Sequence, residues 1–546
     1  MLPRPLQLLP GIAAFLLAVP FLPAQNTTTR ASVATGGVQA DRSSNRASLA
    51  AYGRFLSFES NATNLVVGDL NFVQDVFLRD MLLGTTERVS VGPGGLQANG
   101  ESKRSTLSGD GGRVAYTSLA SNLVALDLNL TYDIFVYDRL SGVTTRVSES
   151  TLGVEANNLS TRPAISADGN CVAYRSLASN LVANDFNLID DVFVRDLTTG
   201  VTERLSLSTA GVEGNATSDR PTISGDGTRV AFWSDADNFV PGDLPLTRDI
   251  FMRDRVNAET ILISISTLGL PGNGPSSRPS ISLDGRFVAF TSDASDLVAG
   301  DTNLAGDVFV RDTLLGTTER VSVATGGGQS NALASVPSIS GDGRFVAFRS
   351  IASNLVANDW NNNEDVFLHD RQTGTTTLVS LSDANVLGAG LSTRPSISAD
   401  GGSIAYQSTA ANLVAGDTNL VEDVFVHEGV GGVPVPSKDI ILLSGPTLVG
   451  VGTQVTWTWS QAPATSPWWM AYSFTLTGSV IAGHGFDLGQ PASVAARGMT
   501  DALGSGSFLS PPIPVSLTGR TVFLEVASRD SAGNFLDSNP LTVSFF

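Results

Sequence analysis

The chain has 546 residues, 42% of them hydrophobic and 16% charged, with a formal net charge of −19. That length and apolar fraction allow a sizeable core and exclude wholesale disorder, while the acidic excess argues against nucleic acid or an anionic membrane as partner. With 55 glycines, only five methionines and no long Leu/Glu/Lys stretches, the composition indicates an all-β chain with many turns.

The N-terminus reads as a processing signal. Arg4 supplies positive charge, Ile12 to Leu22 is a short apolar run, and Leu22-Pro23-Ala24 offers a small-residue cleavage site. The run is well short of the ~20 residues that span a bilayer. Residues 1–24 are therefore expected to be a signal peptide. The mature chain would begin near Gln25 and be exported to the periplasm, cell surface or medium, with no membrane insertion after cleavage.

Residues 25–428 carry an internal repeat. The sequence Asp-Val/Ile-Phe begins at Asp75, Asp133, Asp191, Asp249, Asp307, Asp365 and Asp423, at a spacing of 58 residues (133 − 75, 423 − 365). Copy five shows four predicted strands: Pro279 to Ser282, Phe287 to Ser292, Asp307 to Asp312, and Thr318 to Val323. Tight turns at Asp284-Gly285 and Leu315-Gly316 alternate with long polar connections, as in an antiparallel meander. Units of this size are too small for separate sandwiches and too long for β-helix coils, so blades stacked radially fit best. Copy seven lacks its fourth strand after His427, while Arg30-Ala31-Ser32-Val33 aligns with Arg320-Val321-Ser322-Val323, five periods away (320 − 30 = 290). The expected fold is all-β: a seven-bladed β-propeller closed by an N-terminal strand, with Thr29 to Ala34 pairing against Asp423 to His427.

Ser-x-Asp-Gly-Arg-Phe-Val-Ala-Phe followed by Asp-Val-Phe-Val-Arg-Asp, from Ser282 to Asp312, resembles the WD40-like repeats of TolB-type propellers, where the pattern is Ser-Pro-Asp-Gly and then Asp-Ile-Tyr. The resemblance covers roughly residues 29–428. TolB itself resembles six blades behind a small α/β domain; this chain shows seven units and no such domain, so a Tol–Pal role does not carry over.

Residues 429–437 form a Gly/Pro linker, and 438–546 read as a β-sandwich with alternating strands such as Thr521 to Val526. The end of the chain resembles accessory domains of exported planctomycete-like bacterial proteins. Trp468-Trp469 are expected to be core or edge aromatics, with a sugar platform as the alternative.

Chemistry is sparse. Cys171 is the only cysteine, so no intrachain disulfide forms. His369 and His427 fill a slot held by Arg79, Arg195, Arg253 and Arg311 in other copies, so no zinc site is expected. Arg311 and Asp312 are expected to pair at a strand end. The repeated candidate site is Asp-x-Asn-x-x-x-Asp, as in Asp69/Asn71/Asp75 and Asp301/Asn303/Asp307. Its oxygens suit calcium, but three side chains are too few, so local loop bonding is the expected role and calcium the alternative. Copy four breaks the motif with Pro245, and Trp233 and Trp360 are the most deviant residues in the repeats. No Gly-x-Ser-x-Gly elbow or other catalytic signature is present. The expectation is a monomeric, non-enzymatic binding scaffold with no cofactor, recognising a protein, peptide or glycan on the face that carries the long loops. The alternative is a propeller hydrolase or lyase acting on extracellular polysaccharide, with the C-terminal sandwich as its binding module.

Overall fold

A computed structural model describes residues 27–429 apart from residue 246, together with strands between 442 and 545. Residues 1–24 and the linker beyond 429 lie outside the described residues. Seven four-stranded antiparallel sheets follow one another along the chain. In blade five the strands are Ser276–Ile281, Phe287–Ser292, Asp307–Asp312 and Thr317–Arg320. The first strand of every blade contributes to one central cavity, so the first strands are innermost and the ring surrounds an axial channel.

The second and third strands match expectation, and the other two do not. The inner strand starts at Ser276 rather than Pro279, and the outer strand stops at Arg320 rather than Val323. The alternating Val321 and Val323 read as strand, but past Val321 the Ser322 hydroxyl replaces the backbone ladder. It accepts from the Val308 amide at 3.0 Å and donates to Asp307 at 2.5 Å.

Blades are buried on both faces, which explains the nearly continuous apolar runs in their middle strands. Val288, Phe290 and Phe309 of blade five pack with Ala231, Ile250 and Met252 of blade four. The opposite face, with Ala289, Val308 and Val310, meets Val346, Phe348 and Phe367 of blade six. Bulky side chains on one face thus meet smaller ones on the next, and Phe290 stacks on Phe309 with centroids 5.9 Å apart. The Asp284-Gly285 turn needs glycine: its φ is +69°, and a Cβ there would lie 2.7 Å from the Arg229 side chain.

The ring closes. Thr27–Arg30 forms the outer strand of blade seven, with Thr27 opposite Glu428 and Arg30 opposite Phe425. The alignment of Arg30 with Arg320 holds, but the paired strand lies earlier than Thr29 to Ala34 because this arginine ends the strand rather than beginning it. Leu56, Phe58 and Phe77 of blade one then pack with Ala31, Ala405, Val424 and Val426 of blade seven across the junction.

In the C-terminal segment, Leu442–Ser444, Thr456–Ser460 and Gly506–Leu509 form one sheet, and Pro467–Ser473, Ser493–Met499 and Thr521–Arg529 belong to another. The side chains of Trp468 and Trp469 lie outside the described part. Among the described residues no helix is long and apolar enough to cross a membrane.

Candidate binding face and axial channel

In the six copies that keep it, the acidic motif assembles into a bracket that ties the long loop to its blade. In blade five the Asn303 amide donates to Asp307 at 2.8 Å and to the Ser330 carbonyl at 2.9 Å, and its oxygen accepts from the Ala305 amide. Arg320 faces both carboxylates, 2.9 Å from Asp301 and 3.4 Å from Asp307. Blade one repeats this with Asp69, Asn71 and Asp75, and Arg88 lies 3.4 and 3.8 Å from the two acids. In blade three Arg204 stands among Asp185, Asp191 and Glu213. The structure thus brings the predicted residues together and, in blades one, three and five, sets a guanidinium beside their carboxylates.

Blades four and six depart from this arrangement. The arginine position holds Leu262 and Leu378, and Pro245 replaces the asparagine in blade four. Asp249 keeps only its bond from Ser264, at 2.6 Å, and its second oxygen is buried without a partner, as is one oxygen of Asp243. Burial and the neighbouring Asp249 push the Asp243 carboxyl up to about 7, and burial pushes Asp249 up to about 6. Because these folded-state values exceed the unfolded ones, the stabilisation is complete near pH 4 and is lost as pH rises through 6 to 7. Leu262→Arg should restore the counter-charge. Its stability relative to the parent, followed by thermal melts, is expected to climb between pH 5 and pH 8 to a gain of about 1–2 kcal/mol. A difference independent of pH would refute this account.

The two blade histidines and the Arg311–Asp312 strand end bond within their own blades. His369 bonds Thr376 at 2.9 Å and His427 bonds Thr28 at 2.8 Å, copying the bond of Arg311 to Thr318. The expected Arg311–Asp312 pair is corrected: adjacent strand residues point to opposite faces, so Asp312 pairs with Arg286 at 2.6 Å. Cys171 is buried.

Two features escaped the sequence reading. The first is an apolar crown on the long loops. Phe72, Leu130, Leu188, Leu304 and Leu420, each following the bracket asparagine, are exposed, Leu304 to 95%. All five have left-handed backbone, with φ of 55–57°. The cause is local: the asparagine oxygen closes a turn onto the amide two residues on, and the residue between takes positive φ. That conformation favours Gly or Asn, and copy six does carry Asn362 there. Trp360, 76% exposed, stands on the same loop.

The second is an arginine collar in the channel. Arg46, Arg104, Arg162, Arg220, Arg278 and Arg394 occupy one position of the inner strand and line a cavity of about 320 Å³, with Val336 in the seventh place. All seven have left-handed φ, at a β-bulge that skips two residues of the ladder. Pro279 and its equivalents can follow because the inner strand has no neighbour on the axial side. Arg46 pairs with Glu59 at 3.8 Å and Arg162 with Asp219 at 3.2 Å. Among the described residues, Arg104, Arg220, Arg278 and Arg394 have no ion pair within 4 Å. Burial and then the neighbouring guanidiniums pull Arg220 and Arg278 down to about 10. Burial, offset in part by Arg46, pushes Glu59 up to about 7. The available signal was the 58-residue recurrence of arginine itself (104 − 46, 278 − 220).

Around this collar the copies diverge. One second-strand position holds Glu59, Thr117, Arg175, Trp233, Thr291 and Arg349 in successive blades. The deviant Trp233 belongs to this layer, with Arg248 stacked over its ring at 3.9 Å.

No protein-family model and no curated protein matches the chain. Among solved structures it is similar to an Agrobacterium tumefaciens protein described as a TolB, at 17% identity and a TM-score of 0.32, covering 51% of this chain and 80% of that one. It is also similar to the GH74 enzyme of Niastella koreensis, at 11% identity and a TM-score of 0.23, over 94% and 74% of the two chains. A third is Zg3597, a family 117 glycoside hydrolase of Zobellia galactanivorans, at 10% identity and a TM-score of 0.22, over 49% and 83%.

Proposed function

We propose that this protein is an exported, non-enzymatic binding scaffold that docks a protein, peptide or glycan on its long-loop face. The C-terminal strands would form an accessory sandwich. The apolar crown carries this reading. Repeated large apolar side chains at strained, exposed positions cost stability, roughly 1–2 kcal/mol per residue, and gain little for the core. Exposed apolar groups gathered on one face are what a docking surface needs. Strained conformations of this kind cluster at functional sites.

The test exploits copy six. Leu130→Asn, Leu188→Asn and Leu304→Asn together should leave the melting temperature unchanged or raised, because asparagine suits the left-handed backbone. The same variant should lose the glycans or proteins retained by the parent on a glycan array and in co-purification from the exported fraction. Retention equal to the parent's would refute the face. Release of reducing ends from a bound polysaccharide would make the protein a hydrolase instead.

A further inference from the structure

We propose that the axial channel is a binding site for a compact multivalent oxyanion, one bearing several phosphate, sulfate or carboxylate groups. Six guanidiniums converge from six blades on one cavity, in a chain whose net charge is −19. Glu59 pairs with one of them, Arg46, and Asp219 pairs with another, Arg162, as well as with Arg175 of a second strand. The other four stand half-buried, among like charges and with no carboxylate within ion-pair distance among the described residues. Like charges held together out of bulk water oppose one another, and an anion on the axis would relieve them all at once.

The backbone does not account for the arginines. Every copy holds this residue in the left-handed region, a strain of roughly 1–3 kcal/mol per non-glycine residue. A bulge that served only to bend the strand would not require arginine, and Val336 shows that the geometry forms without it.

Guanidinium is the side chain suited to bidentate contact with planar or tetrahedral oxyanions. A single small anion can engage only one or two of the forks, so several anionic groups are needed to use the collar. The cavity of about 320 Å³ sits at the lower end of the size range for small-molecule sites. That favours a compact ligand over a polymer threaded through the ring. The site lies on the axis and does not depend on the apolar crown.

The experiment uses the full chain, with tripolyphosphate, citrate and sulfate titrated calorimetrically at constant ionic strength. Tripolyphosphate, citrate or both should bind saturably and raise the melting temperature; whichever binds tighter tells phosphate from carboxylate chemistry. Arg220→Gln with Arg278→Gln should weaken binding at least about tenfold, as expected for lost charge-assisted bonds, while raising the melting temperature of the free protein. Val336→Arg, which completes the collar, should tighten binding several-fold and serves as the test should the double variant fold poorly. The Leu130→Asn, Leu188→Asn, Leu304→Asn variant should bind anions like the parent, so failure of the docking face would leave this site standing. No binding of either polyanion overturns the proposal. So does binding undiminished in the double variant, or an effect reproduced by sodium chloride alone.

Discussion

Deleting residues 27–32 is expected to destabilise the ring more than any single substitution, by on the order of 5 kcal/mol. The segment supplies the whole outer strand of blade seven, and the Ala31 amide continues the ladder to Val424 at 2.8 Å. It also completes that blade's bracket: Ser32 donates to the fully buried Asp423 at 2.6 Å, and Arg30 lies 3.2 Å from Asp417 and 3.6 Å from Asp423. Without it, Asp423–Glu428 becomes a bare edge and Asp423 loses its counter-charge. Trimming six residues from an ordinary terminus is usually tolerated. Thr27 stands opposite Glu428 as Thr317 stands opposite Asp312. The same segment grafted after Glu428, behind a turn copied from 313–316, should therefore restore stability. Thermal melts of the deletion and the graft check both statements. A deletion variant that melts like the parent and keeps the parent's size in solution would mean the N-terminal strand does not hold the ring closed.

Asp307→Ala should cost about 3–5 kcal/mol, the usual penalty for breaking a buried charge pair. Asp307 is fully buried and takes bonds from Ser322 and Asn303 while facing Arg320. Its loss frees Asn303, which also ties the long loop to the Ser330 carbonyl, and leaves Arg320 with Asp301 alone. Because the cation of this bracket is Arg320, calcium should move the melting temperatures of parent and variant equally. A saturable rise in the parent that the variant lacks would restore the calcium reading. Differential scanning calorimetry with and without calcium separates the two.

Much of the architecture was legible because it is written locally and seven times. The Asp-Gly turns, the Asp-Val-Phe strands and an uninterrupted 58-residue spacing each depend on a few neighbouring residues, and repetition converts them into a blade count. The displaced copy at Arg30 likewise announced ring closure. Strand ends were less legible. Ser322 takes over from the ladder through a side chain, and hydropathy alternation is blind to that exchange.

The candidate sites depended on tertiary structure. A leucine in a turn-forming stretch looks like any other leucine until the Asn303 turn holds Leu304 in solvent. Arginines a full repeat apart look like ordinary strand-end charges until ring geometry decides which strand faces the axis. Within one unit the sequence specifies the strands and turns, because hydrogen bonds and steric limits act over a few residues. The meeting of six like charges is a property of the closed ring, because electrostatic repulsion and desolvation act through space between residues the chain keeps far apart.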